Sequence, residues 1–96
     1  MTFETREQYL AWRAEWRASY ANTSQKIREN RTALVKAAKA GEDQSTHQRK
    51  LSILRDFARG QMETRTAIDA VKKAQMAALR EAKALAALNE AQTKAA

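Results

Sequence analysis

The chain has 96 residues and a mass of 10.8 kDa, which allows one domain with a simple core. Apolar residues make up 44%, much of it alanine, and only six residues are aromatic, so a large core is excluded; the absence of cysteine excludes disulfides, zinc–thiolate sites and thiol nucleophiles. Eighteen basic against eleven acidic groups give +7, with no run of five or six like charges, so any basic surface has to be assembled by folding.

There is no proline, and the only glycines are Gly41 and Gly60, in a background of good helix formers. No stretch alternates β-branched and polar residues as a strand would, so the expected fold class is all-α. Tyr9, Trp12, Trp16, Tyr20, Thr23, Ile27, Asn30 and Leu34 recur every three or four residues, predicting a first helix over about 3–40. Thr5 with Gln8 has the spacing of a capping box, Thr2 competes as the cap, and Gly41 sits where a left-handed residue ends a helix. Asn22, Thr23 and Ser24 are three poor helix formers in a row and offer an alternative, in which the helix breaks there.

A polar turn over about 41–45 follows, and Ser45 with Gln48 repeats the capping-box spacing. A second helix is predicted over about 46–93, with Gly60 marking a bend or a close contact. Two long helices joined by a short turn form an antiparallel, coiled-coil-like hairpin, one domain over residues 1–96. If facing residues sum to about 86, Trp16 meets Ala70, Trp12 meets Ala74 and Tyr9 meets Ala77 and Ala78, large against small. On a wheel the apolar residues of the second helix spread over two rows, one with Ile53, Phe57, Ile68, Val71 and Leu79, the other with Leu51, Leu54, Ala58, Met62 and Met76. One partner helix cannot cover both rows. The expectation is a homodimer of hairpins forming a four-helix bundle, with Leu51, Leu54, Met62, Met76, Leu85 and Leu88 as its apolar interface or as a patch for another protein.

Charge on the first helix is sorted by face. Arg6, Arg13, Arg17, Arg28 and Arg31 fall within an arc of roughly 60°, opposite Glu4, Glu7, Glu15 and Glu29. They make a track roughly 37 Å long, suited to successive phosphates or to an acidic protein surface. The plainer reading is a solvated flank that borders the seam and pairs with acids such as Glu63 or Glu81. The interleaved rings and arginines from Tyr9 to Tyr20 resemble a stacking platform for single-stranded nucleic acid, but the four rings share one face and read first as core; an exposed Trp pair would be a protein-binding hot spot.

His47 is the only histidine, so neither a zinc site nor a histidine dyad can be built within one chain, and Ser45 and Thr46 beside it read as helix-capping hydroxyls. No phosphate loop, metal-ligand spacing or pocket-forming scaffold appears. An enzyme, a cofactor and a small-molecule substrate are therefore not expected. Nor is a membrane partner, because the longest apolar run, residues 84–88, falls far short of the roughly 20 residues of a spanning helix. Residues 1–9 carry charges where a signal peptide is apolar, so a soluble, cytoplasmic protein is expected.

The stretch Trp12-Arg13-x-x-Trp16-Arg17-x-x-Tyr20-x-x-x-Ser24-x-x-Ile27-Arg28 resembles small helical proteins of tailed phages and prophages, whose functions are largely unassigned. The resemblance implies a viral protein acting inside a bacterial cell, where such proteins often bind and redirect host or defence complexes; it brings no site residues with it. The expected function is a non-enzymatic, dimeric interaction protein that binds and inhibits a host protein or nucleoprotein complex through its arginine face or its surplus apolar row. Direct DNA or RNA binding is the alternative, and a structural or assembly component the third.

Overall fold

The computed structural model describes residues 2–95. It contains two helices, α1 over Arg6–Lys39 and α2 over Ser45–Ala95, packed as an antiparallel hairpin 85 Å long and 18 Å across. No strand occurs among the described residues, and no helix is long and apolar enough to cross a membrane.

Thr5, and not Thr2, caps α1: its Oγ1 accepts from the Gln8 backbone N–H at 3.2 Å. The Gln8 side chain reaches back one residue further than a capping box requires, and its Oε1 accepts from the Glu4 N–H at 2.8 Å. At the other end the Gly41 N–H donates to the Ala38 carbonyl and the Glu42 N–H to the Ala37 carbonyl, the two bonds of a Schellman motif. That motif needs a left-handed residue, and Gly41 supplies it at φ +73°.

Asn22, Thr23 and Ser24 do not break α1. Thr23 is buried in the seam, and its hydroxyl donates to the Ser19 carbonyl at 3.1 Å, so packing overrides weak intrinsic propensity. Gly60 likewise leaves α2 continuous and makes no close contact, since a Cβ built on it would meet nothing within 4 Å.

The cap of α2 differs from the expected one. Ser45 is not the acceptor; its N–H and hydroxyl both donate to the Asp43 carboxylate, at 3.0 and 2.8 Å, while Gln44 supplies the carbonyl for the first helical bond, from the Gln48 N–H at 2.9 Å. A carboxylate is the stronger acceptor and suits the positive end of the helix dipole. These bonds, above all that from the Ser45 N–H, hold the Asp43 carboxyl below its ordinary pKa.

The inward residues of α2 are His47, Leu51, Leu54, Ala58, Gln61, Arg65, Ile68, Lys72 and Gln75, alternating steps of three and four as in a coiled coil and extending a series that starts at Gln44 in the connection. Trp16, Tyr20, Thr23, Ile27, Asn30, Leu34 and Ala37 continue the same pattern on α1. Their register corrects the expected one by about eight residues. Asn30 Nδ2 donates to the His47 carbonyl at 2.8 Å, Trp16 Nε1 to the Gln61 carbonyl at 2.8 Å, and the Tyr9 hydroxyl to Asp69 at 2.5 Å. Facing residues thus sum to about 78. The cause lies in residues 42–44, which belong to neither helix and run back along the last turns of α1. Extended chain covers about 3.3 Å per residue against 1.5 Å in a helix, so α2 begins beside residue 33 instead of residue 40.

The slip changes what the rings touch. Trp16 stacks on Tyr20 with centroids 4.9 Å apart and has the Arg65 guanidinium 4.8 Å from its ring centre; the Lys72 ammonium lies 3.8 Å over Tyr9. The alanines expected beneath them, Ala70, Ala74, Ala77 and Ala78, are exposed. The buried core is correspondingly small, comprising Tyr9, Ala37 and Leu51 with the polar Thr23.

Candidate interaction surfaces

With the hairpin fixed, the seam divides the molecule into two long flanks of different chemistry. On one, α1 presents Arg17, Arg28 and Arg31, all exposed, with Arg6 at the open end. None of these four forms an ion pair among the described residues; the pairs that exist are Arg59–Asp56, Arg65–Asp69 and Lys94–Glu90, all within α2. Glu63 and Glu81, the expected acidic partners, take no part. The helices bring Arg31 together with Arg55 and Arg59 around an open groove of about 600 Å³ floored by Leu34 and Leu51. Arg55 and Arg59 extend the basic face in a way the charge sorting of α1 alone did not reveal; the signal was their position one turn apart on the matching flank of α2.

Arg13 departs from the expected track. It is half-buried in the seam, and its Nε is buried without a hydrogen-bond partner, so the residue is committed to the hairpin interior and offers little to an outside ligand. Gln61 Oε1 shares that condition, although Gln61 Nε2 donates to Ser19 Oγ at 2.8 Å.

The apolar residues divide too. Leu51 is buried and Leu54 half-buried, both facing α1, so neither is a free interface. Their assignment to a second row came from applying 3.6 residues per turn to a helix whose contacts repeat every 3.5, a difference of about 20° per heptad. Met62 and Met76 are each 41% exposed and lie along the basic flank, where Met76 joins Phe3, Arg6 and Leu79 around a notch of about 390 Å³. Leu85 and Leu88 are exposed beyond the start of α1, on a part of α2 that no described residue of α1 or of the segment before it covers.

The open end is held by polar contacts that sequence reasoning did not foresee. Gln75 accepts from the Phe3 N–H at 3.5 Å and donates to the Phe3 carbonyl at 3.2 Å, clamping the segment before α1 against α2. Beside it Phe3 meets Tyr9 edge-on at 5.3 Å. The Tyr9 phenol is held above its ordinary pKa first by its hydrogen bond to Asp69, which favours the neutral form, and then by burial and the nearby carboxylate charge. Among the described residues no group of three His, Asp or Glu side chains is gathered closely enough to hold a metal ion.

The opposite flank carries Ile53 and Phe57, 63% and 58% exposed, followed along α2 by Gly60, Thr64, Ala67, Val71, Ala74 and Ala78. Comparison of the chain with protein-family models, with curated proteins and with solved structures finds no match.

Proposed function

We propose that the chain is a non-enzymatic interaction protein, a dimer of hairpins in a four-helix bundle, which docks its arginine flank on an acidic surface of a partner protein or nucleoprotein complex and inhibits it by occupying that surface. The observation that carries the reading is the exposed row Arg6, Arg17, Arg28 and Arg31, none of which forms an ion pair among the described residues. A solvated flank that merely borders a seam usually carries charges of both signs. The resemblance to small phage proteins implies a partner in a bacterial cytoplasm, of the class of host or defence complexes.

A second reading is favoured by the groove that gathers Arg31, Arg55 and Arg59: Arg59 is paired with Asp56 on the same groove, but Arg31 and Arg55 form no ion pair among the described residues and suit the phosphates of DNA or RNA. One experiment separates the two. Wild type and an Arg17→Glu/Arg28→Glu variant serve as baits in bacterial lysate, with and without nuclease. Both substituted residues are exposed, so helicity should be unchanged; Arg13 is left alone because its substitution would disturb the seam. Nuclease-resistant capture lost in the variant is the expected result. Capture that nuclease abolishes transfers the function to nucleic acid, and there the affinity should fall with salt at about one unit of log–log slope per phosphate neutralised. Identical capture by both baits refutes the role of the arginines.

A further inference from the structure

The heptad that places the seam also defines a second line of positions on α2, roughly 100° around the helix. It runs Thr46, Lys50, Ile53, Phe57, Gly60, Thr64, Ala67, Val71, Ala74, Ala78, Glu81 and Leu85, and apart from half-buried Val71 every member is exposed. Ten of the twelve are uncharged, on a chain in which 30% of residues are charged. The accessible surface of 7644 Å² gives the same message, since a compact monomer of this mass exposes about 5,500 Å².

We infer that this line is the contact between two copies of the chain, with the two α2 helices antiparallel about a two-fold axis between residues 65 and 66. The inference rests on the four-helix bundle proposed above and is independent of what the basic flank binds. In this register Ile53 faces the partner's Ala78, Phe57 faces the partner's Ala74, Gly60 faces the partner's Val71, and Thr64 faces the partner's Ala67. Every layer sets a larger side chain against a smaller one, as dense packing requires. Lys50 and Glu81 are the only charges on the line, and neither forms an ion pair among the described residues. Lys50 meets the partner's Glu81, and by symmetry Glu81 meets the partner's Lys50.

Competing arrangements fail on the same residues. Sliding by one heptad puts Phe57 on the partner's Glu81, and sliding the other way sets Glu81 against the partner's Asp43. A parallel pair stacks like charge on like charge, ring on ring, and leaves a void at Gly60. The antiparallel overlap covers residues 46–85, roughly 60 Å of helix, with all twelve residues of the line in each copy facing the other. Because the line stands near a right angle to the seam, both copies of α1 fall on the same side of the α2 pair, and the hairpin register lets them overlap over residues 6–19, the stretch in which four helices run side by side. The arginine flanks stay outside.

The test is a charge exchange read by analytical ultracentrifugation, with helicity as the control for folding. Lys50→Glu and Glu81→Lys should each raise the dimer dissociation constant at least fivefold, and the two together should restore it to within twofold. Residues 50 and 81 are roughly 46 Å apart along one helix, so rescue cannot arise within a chain. Since the chain lacks cysteine, Gly60→Cys mixed with Val71→Cys gives an independent readout, an oxidised heterodimer on a non-reducing gel. Wild type that stays monomeric at micromolar concentration overturns both the bundle and this contact. A dimer with no rescue and no cross-link overturns the contact and leaves the bundle standing.

Discussion

Tyr9→Phe isolates one atom at the open end of the hairpin. The ring stays, with its edge contact to Phe3 at 5.3 Å and the Lys72 ammonium 3.8 Å over its face; what goes is the hydroxyl that donates to Asp69 Oδ1 at 2.5 Å. A hydrogen bond to a charged acceptor contributes roughly 1.5–3 kcal/mol. Tyr9 is 8% exposed, but the Asp69 side chain is 37% exposed and can regain water, which places the loss at the lower end, about 1.5 kcal/mol. The phenol pKa is raised in the folded state, so this contribution is fully present below the unfolded value of 10.0 and is lost as pH rises through the folded value. Urea unfolding of both proteins at matched concentration, followed by helical circular dichroism from neutral to strongly alkaline pH, should show a gap of about 1.5 kcal/mol near neutrality that closes only above pH 10. A variant as stable as wild type near neutrality, or a gap that persists unchanged at high pH, would refute the assignment.

Three further substitutions have definite signs. Gly41→Ala should destabilise by about 1 kcal/mol, entirely through the backbone, because φ is +73° and nothing crowds the new methyl; thermal unfolding reads it. Gly60→Ala, at a position open within the single chain, should raise the stability of the separate hairpin by about 0.5–1 kcal/mol in the same assay run dilute enough to keep the chain monomeric, because in the dimer the new methyl meets the partner's Val71. Asp43→Asn should lower the thermal midpoint at neutral pH. Since the Asp43 pKa is depressed, the deficit should vanish as pH falls through its folded value below 3.8, and a constant deficit down to low pH would contradict the cap.

The helices were legible because their signals are local. The three-four spacing of Tyr9 to Leu34, the Thr5–Gln8 cap and the glycine at position 41 each act within a turn or two of chain, and each stands where the sequence put it. What the sequence concealed depends on accumulated geometry. Three residues in the connection shift every cross-helix pair by about eight positions, which moves Trp16 from Ala70 to Gln61 and Arg65. Over 51 residues of α2 the small difference between 3.6 and 3.5 residues per turn grows until seam residues such as Leu51 and Leu54 look like a separate face. The basic flank was half legible, because Arg17, Arg28 and Arg31 are sorted on one helix while Arg55 and Arg59 join them only through the register.

The polar pairs spaced along the hairpin also prescribe an order of assembly. Asn30 closes on His47 across 17 residues of chain, Trp16 on Gln61 across 45, and Phe3 on Gln75 across 72, so loop-closure entropy rises steadily from the turn outward. A chain built this way zips, with the Schellman turn and the Asp43 cap as nucleus and each bridge shortening the loop left for the next. Opening runs in reverse. Within the paired part of the hairpin amide exchange should therefore be slowest beside the turn and rise toward Thr5 and Gln75, a gradient of protection along one rod instead of a single cooperative value.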